Sequence, residues 1–81
     1  MRVRVQFFSY LRELAGCPHI SMELPDGHRI ADLLERLYTL HPPLASLHAS
    51  TLIAVGVEYQ GRSYVLHDGD EVSLFPPVSG G

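Results

Sequence analysis

The stretch Ile30-Ala31-Asp32-Leu33-Leu34-Glu35-Arg36-Leu37-Tyr38-Thr39-Leu40 decides the fold, because it is the clearest helix in a chain whose other patterned segments alternate like strands. Its apolar residues fall on one helical stripe, formed by Ile30, Leu33, Leu34, Leu37, Tyr38 and Leu40. The prolines of His41-Pro42-Pro43 end the helix, since the residue before a proline is pushed out of the helical region. We therefore predict one amphipathic helix whose stripe packs on the core.

Two segments before this helix alternate apolar and polar residues, which is the period of half-buried strands. They are Arg2–Phe8 and His19–Leu24. Between them, residues 9–15 are predicted to form a short helical turn, with Ser9 as its cap and Gly16 as its end. The two strands are thus expected to form a hairpin with an elaborated connection.

Three further strands are predicted after the helix and a loop through His48. They are Leu52–Tyr59, a shorter one at Ser63–Leu66, and a last one at Glu71–Phe75. Pro76-Pro77 stops the sheet, because proline cannot donate a hydrogen bond to a strand ladder.

This order of elements predicts an α+β fold, in which a mixed sheet of four to five strands carries one main helix on one face. The first and last strands are then expected to be central, parallel neighbours, as in a β-grasp (ubiquitin-like) roll. With 81 residues the chain has room for one hydrophobic core. We expect residues 1–75 to form the domain and residues 76–81 to project as a diglycine tail.

Composition excludes several classes of function. The chain is 46% hydrophobic and has no apolar run that could span a bilayer, so we expect no membrane association. Its net charge of −3 argues against binding a nucleic acid. The charged N-terminus does not resemble a signal peptide, and Cys17 is the only cysteine, so a cytoplasmic location is expected. The histidines and the acidic turn Asp68-Gly69-Asp70-Glu71 lack metal-ligand spacing, so no metal site is predicted.

The tail has the chemistry of an acyl donor. Pro76-Pro77 favours an extended start, and the seven residues from Phe75 to Gly81 reach at most about 25 Å. Gly80 and Gly81 have no side chains, so they can pass a narrow channel and present an unhindered carboxylate. Once activated as an acyl-adenylate, that carboxylate can accept a sulfur nucleophile or an amine. A terminal Gly-Gly alone also fits a disordered end or the remnant of a tag.

Four blocks of the sequence resemble the ubiquitin-like sulfur-carrier family that includes the small subunit of molybdopterin synthase. They are Phe7-Phe8, Leu11-Arg12-Glu13-Leu14-Ala15-Gly16, Asp68-Gly69-Asp70-Glu71-Val72 and Phe75-Pro76-Pro77-Val78-Ser79-Gly80-Gly81. One departure is Gly56, where members commonly carry Asn, and it leaves the local strand or turn geometry open.

The resemblance implies that an E1-like adenylyltransferase activates Gly81 with ATP and that a thiocarboxylate replaces the carboxylate. Two such carriers bind a dimer of the large subunit as a heterotetramer and deliver sulfur to cyclic pyranopterin monophosphate, which forms the dithiolene of molybdopterin. The resemblance implies an active site on the large subunit, a donor subunit that is not itself catalytic and that binds no cofactor, and a tail threaded through Pro76, Pro77, Val78, Ser79 and Gly80.

Phe8 and Phe75 are the predicted partner interface. If the fold is right, both lie on the outer face of adjacent strands, and they correspond to phenylalanines that pack on the large subunit in the family. An exposed aromatic patch commonly marks a partner surface, although loops could instead cover these two rings.

Two other functions remain open. A related carrier could serve thiamine, cysteine or tRNA thiolation, and a ubiquitin-like modifier could use Gly81 to form isopeptide bonds. All six basic residues are arginine, so copies of the chain cannot be linked through lysine side chains.

Overall fold

The computed structural model of the protein describes residues 1–77. Five strands, two α-helices and one 3₁₀ helix make up this part of the chain. In chain order they are β1 (Arg2–Phe7), α1 (Tyr10–Ala15), β2 (His19–Glu23), α2 (Ile30–Leu40), the 3₁₀ helix (Pro42–Ser50), β3 (Leu52–Val55), β4 (Glu58–Tyr59) and β5 (Glu71–Phe75).

The strands form one mixed sheet in the order β2-β1-β5-β3-β4. β1 and β5 pair in parallel at the centre, with Arg4 opposite Glu71 and Phe7 opposite Leu74, and the other pairs are antiparallel. The predicted mixed sheet with parallel first and last strands is therefore confirmed. The parallel pair requires a long crossover, which α2 and the segments around it supply.

The core lies between α2 and one face of the sheet. Leu33, Leu34 and Leu37 of α2 are almost fully buried. The sheet residues in the same cluster include Val3, Val5, Phe7, Ile53, Val72 and Leu74. Burial of each leucine stabilises the fold by about 1.5–3 kcal/mol, so this single layer of contacts is the main source of stability in a chain this short.

The α2 helix has the predicted bounds, but its predicted stripe is too wide. Leu40 is 60% exposed and Tyr38 is only partly buried. At 3.6 residues per turn Tyr38 lies about 100° around the helix from Leu37, at the margin of the stripe, whereas Leu40 is the last residue of the helix. An apolar residue at the margin of a stripe or at the end of a helix is therefore not evidence of burial.

The prediction of one strand over Leu52–Tyr59 is wrong, because this segment is the β3–β4 hairpin. Its turn contains Gly56, whose φ of 61° lies in the left-handed region that glycine adopts without cost. Asn also tolerates this region, which accounts for the family's usual residue at this position. The predicted strand at Ser63–Leu66 is also wrong, since only an isolated bridge joins Arg29 to Val65.

The short helix α1 ends as predicted but does not begin as predicted. Gly16 has a φ of 77° and donates its N–H to the Arg12 carbonyl, which closes the last turn. Ser9 occupies the cap position but makes no side-chain capping bond, and its φ of 54° lies in the left-handed region. The predicted loop through His48 is instead the 3₁₀ helix. None of the helices within residues 1–77 is long and apolar enough to cross a membrane.

Candidate functional site

The parallel pairing of β1 with β5 brings Phe8 and Phe75 together on the sheet face that α2 does not cover. Gln6 lies opposite Ser73 and Phe7 opposite Leu74, so the next residue of each strand stands beside the other. The two rings are stacked, with centroids 4.6 Å apart and planes 16° apart. Offset stacking of this kind contributes about 0.5–1.5 kcal/mol beyond the buried area.

This aromatic pair lies where β5 ends and the tail begins. The Phe8 N–H donates to the Leu74 carbonyl at 3.1 Å, which extends the ladder by one residue beyond β1. Both rings are half-buried, Pro76 is also half-buried, and Pro77 is exposed. The structure thus brings the two predicted interface residues together, beside the first two predicted tail residues. Their contact with a partner remains a prediction.

Two more apolar residues extend the pair across the same face. Leu52 lies opposite Phe75 in the β3–β5 register and is 38% exposed. Tyr59 lies opposite Ala54, two residues along β3, and is 72% exposed. Phe8, Leu52, Tyr59 and Phe75 therefore lie on the same face of the sheet.

Sequence reasoning missed Leu52 and Tyr59. A single strand over Leu52–Tyr59 would place its two ends roughly 23 Å apart, since each residue adds about 3.3 Å. The turn at Gly56 instead folds Tyr59 back beside Ala54. The signal that could have found this hairpin is the glycine inside an otherwise apolar strand pattern.

The other end of the same face is charged. Arg2 and Glu23 form an ion pair at 2.7 Å with both side chains well exposed, and Arg4 lies opposite Glu71. An exposed pair of this kind contributes at most about 1 kcal/mol to stability. The uncovered face therefore has an apolar end beside the tail and a charged end away from it.

The remaining predicted tail residues, Val78, Ser79, Gly80 and Gly81, lie outside the described residues. The role assigned to Gly81 therefore stays a prediction. The described part ends at Pro77, which continues directly from the aromatic pair.

The acidic turn before β5 serves the fold. An Asp68 carboxylate oxygen accepts the Arg2 backbone N–H at 2.7 Å. An Asp70 oxygen accepts the His67 N–H at 2.9 Å and the Tyr64 hydroxyl at 3.4 Å. Within residues 1–77, no three His, Cys, Asp or Glu side chains come together as a metal site would require.

A shallow concavity of about 480 Å³ lies on the helix side, between α2 and the 3₁₀ helix. Within it the Tyr38 hydroxyl and His48 Nδ1 are 2.8 Å apart, and Arg62 donates to the His48 carbonyl. Burial raises the pKa of the Tyr38 hydroxyl, and the Arg62 guanidinium partly opposes this. These contacts tie the 3₁₀ helix to α2, on the side of the sheet opposite the aromatic pair.

A mixed five-stranded sheet with central parallel end strands and one main helix on one face defines a ubiquitin-like β-grasp protein. The aromatic pair at the exit of β5 and the diglycine tail fit the carriers of that class. The ThiS family model matches residues 5–81, and the chain belongs to this family.

One relative and two solved structures place the chain within this group. It is 39% identical to the molybdopterin synthase sulfur carrier subunit of Chlamydomonas reinhardtii, with 100% of both chains covered. The crystal structure of Haloferax volcanii small archaeal modifier protein 1 superposes with a TM-score of 0.86 at 26% identity, covering 95% of this chain and 98% of that one. A chain from the Helicobacter pylori complex of subunits 1 and 2 of molybdopterin-converting factor gives 0.72 at 27% identity, with 100% of both chains covered.

Proposed function

We propose that this chain is the sulfur carrier of a molybdopterin synthase and that Gly81 carries the sulfur. The observation that carries the proposal is the stacked Phe8–Phe75 pair, which lies on the uncovered face at the point where β5 becomes the tail. A docking surface at the base of the tail would hold the domain outside a partner while the tail enters its active site.

The chemistry needs only the terminal carboxylate from this chain. In the activating step the Gly81 carboxylate attacks the α-phosphorus of ATP, pyrophosphate leaves, and an acyl-adenylate forms. A sulfide-equivalent nucleophile then attacks the carbonyl carbon, and AMP leaves with the electrons of the C–O bond, which gives a thiocarboxylate. The thiocarboxylate sulfur would then bond to a carbon of cyclic pyranopterin monophosphate as an oxygen substituent leaves that carbon, which gives a thioester with Gly81. Water would attack the thioester carbonyl, the acyl C–S bond would break, and the sulfur would stay on the pterin while Gly81 regains its carboxylate.

Two partners follow from this chemistry. An E1-like adenylyltransferase would supply the ATP site, and the synthase large subunit would supply the pterin pocket in a heterotetramer. The Helicobacter pylori complex of subunits 1 and 2 supports a large-subunit partner. ATP would be used on the activating partner, with no cofactor resident on this chain, and the reactions would take place in the cytoplasm.

A reconstituted single-turnover reaction tests the proposal. The carrier is converted to its thiocarboxylate, mixed with the large subunit and cyclic pyranopterin monophosphate, and the dithiolene product is measured. We expect product from the thiocarboxylate and none from the carboxylate form. A thiocarboxylate that forms readily but yields no dithiolene would contradict the assignment to molybdopterin and favour a carrier for thiamine, cysteine or tRNA thiolation.

A second candidate is a ubiquitin-like protein modifier. The likeness to small archaeal modifier protein 1 over nearly the whole chain favours it. In that case an amine of a target protein would attack the same acyl-adenylate and form an isopeptide bond. Targets would be other proteins, since all six basic residues of this chain are arginine. A covalent adduct of protein mass in an extract supplied with ATP would support this reading.

A further inference from the structure

Ser9 has a backbone conformation that its own side chain opposes. Within residues 1–77 the other positions with a positive φ are all glycines, namely Gly16, Gly27, Gly56 and Gly69. Ser9 is the exception, with a φ of 54° and a ψ of −130°. A residue with a side chain is strained in this region, and strain of this kind commonly lies at functional sites.

The strained residue directly follows one ring of the aromatic pair. Ser9 comes after Phe8, whose ring stacks on Phe75, and Phe75 is in turn followed by Pro76. The positive-φ glycines end α1 or lie in turns between other elements. The one strained position among them is therefore the one next to the proposed interface and the base of the tail.

The Ser9 side chain does not account for the conformation, because it is exposed and makes no capping bond to α1. The backbone around it, in contrast, is held on both sides. The Phe8 N–H donates to the Leu74 carbonyl at 3.1 Å. The Leu11 N–H donates to the Phe8 carbonyl at 3.2 Å, and the Arg12 N–H donates to the Ser9 carbonyl at 3.0 Å. The neighbouring elements thus fix the turn through its backbone.

This turn and Pro76 end the β1–β5 ladder at the same point. Since the Phe8 N–H donates to the Leu74 carbonyl, the next bond of a parallel ladder would run from the N–H of residue 76 to the Phe8 carbonyl. Pro76 has no N–H, and the Phe8 carbonyl instead accepts from Leu11 across the Ser9 turn. The chain after Phe8 therefore turns away, and β5 continues toward the tail without β1 beside it.

We propose that Ser9 is a positioning residue for sulfur transfer, because its restricted backbone holds Phe8 against Phe75 and fixes the point at which the tail leaves the sheet. This inference rests on the proposed function. Glycine would fit the same turn without strain, but it would leave the junction freer to move. Transfer from Gly81 in a partner's active site requires closely defined positions, so a loosely held base of the tail lowers the rate. A residue with a side chain is therefore expected at this position despite its strain.

Two variants of the full chain test the role of the backbone. Ser9→Gly should raise the melting temperature by about 4–8 °C, since the strain that it relieves exceeds the freedom that glycine adds to the unfolded chain. Its affinity for the large subunit and its single-turnover rate of dithiolene formation should nevertheless fall roughly two- to fivefold, because the junction is less restricted. Ser9→Ala removes only the hydroxyl and should match the wild type in all three measurements.

A D-residue at the same position separates rigidity from strain. The mirror image of the Ser9 φ and ψ lies close to the polyproline region, so D-alanine adopts this backbone without strain and stays restricted. The single cysteine, Cys17, directly follows Gly16, so a synthetic segment 1–16 can be ligated to the rest of the chain there. Ser9→D-Ala should melt above the wild type, as Ser9→Gly does, but bind and react like the wild type.

The outcomes separate this inference from the proposed function. Wild-type affinity and rate in Ser9→Gly would overturn the positioning role and leave the carrier function standing. A loss in Ser9→Ala as large as that in Ser9→Gly would also overturn it, since the hydroxyl would then carry the effect. An equal loss in Ser9→D-Ala would do the same, because that variant keeps the restricted backbone. A wild-type thiocarboxylate that yields no dithiolene would overturn the proposed function itself.

Discussion

The two faces of the sheet differ in what their apolar residues do. On the face covered by α2, Val5, Phe7 and Leu74 are buried to within a few per cent and their partners are other residues of the same chain. On the uncovered face, Phe8 and Phe75 stack on each other and remain half-exposed, with Leu52 beside them. Consecutive residues such as Phe7 and Phe8 therefore lie on opposite faces and have different surroundings. The first stabilises the fold, and we propose that the second binds a partner.

The largest effect on stability is expected on the covered face. Leu37→Ala should lower the free energy of unfolding by about 2–5 kcal/mol, because it leaves a cavity at the centre of the α2 contact. Urea denaturation followed by circular dichroism measures this. At a temperature where the variant stays folded, its affinity for the large subunit should match the wild type. A stability loss below about 1 kcal/mol would show that α2 is not the main support of the core.

On the uncovered face, truncation of a side chain to alanine should weaken binding to the large subunit. Phe8→Ala is expected to weaken binding to the large subunit by about tenfold to a hundredfold, as truncation of a central aromatic contact commonly does. The free energy of unfolding should fall by at most about 1.5 kcal/mol, the upper value for an aromatic pair. Calorimetry and urea denaturation on the same sample separate the two effects. Unchanged affinity would remove the interface role from Phe8.

The turn of the β3–β4 hairpin needs a left-handed backbone at Gly56, which most residues with a side chain disfavour. Gly56→Ala should cost about 1–2 kcal/mol, the cost of a left-handed backbone for an L residue. A Cβ at this position would meet no atom within 4 Å, so the whole cost is torsional. Gly56→Asn should cost less, since Asn tolerates this region. Equal losses for Ala and Asn in thermal unfolding would argue against the left-handed turn.

The smallest effect is expected at the charged end of the uncovered face. Glu23→Gln removes the exposed ion pair with Arg2 and should change the free energy of unfolding by less than about 1 kcal/mol. Binding to the large subunit should also stay within about twofold, since rim charges contribute little to affinity. A larger loss of affinity would mean that the partner contacts the Arg2–Glu23 pair as well as the apolar end.

The elements with clear periodicity could be predicted from the sequence. α2 and β5 have their predicted bounds, and β1 and β2 each end one residue early, because alternation and the helical stripe report burial directly. Periodicity alone does not predict the β3–β4 hairpin, since Val57 in its turn makes the segment look like one apolar strand and only Gly56 marks the turn. Leu40 was wrongly assigned to the core because periodicity does not show where the covering layer ends.

Part of the candidate site could also be predicted from the alternation of the strands. Phe8 and Phe75 follow from strand alternation once the two strands are parallel neighbours, and the structure places them in contact. Leu52 and Tyr59 depend on the register of the hairpin, which pairwise contacts set and sequence periodicity does not.

The central claim is that the domain positions the tail and that Gly81 carries the sulfur. Intact-mass measurement after incubation with the activating enzyme, ATP and a sulfur donor tests it most directly, with a variant lacking Gly81 as the control. We predict that one oxygen-to-sulfur exchange appears in the wild type, maps to Gly81 on fragmentation, and is absent from the shortened chain. Sulfur found at Cys17, or an unchanged mass in the wild type under conditions where the enzyme consumes ATP, would contradict the account.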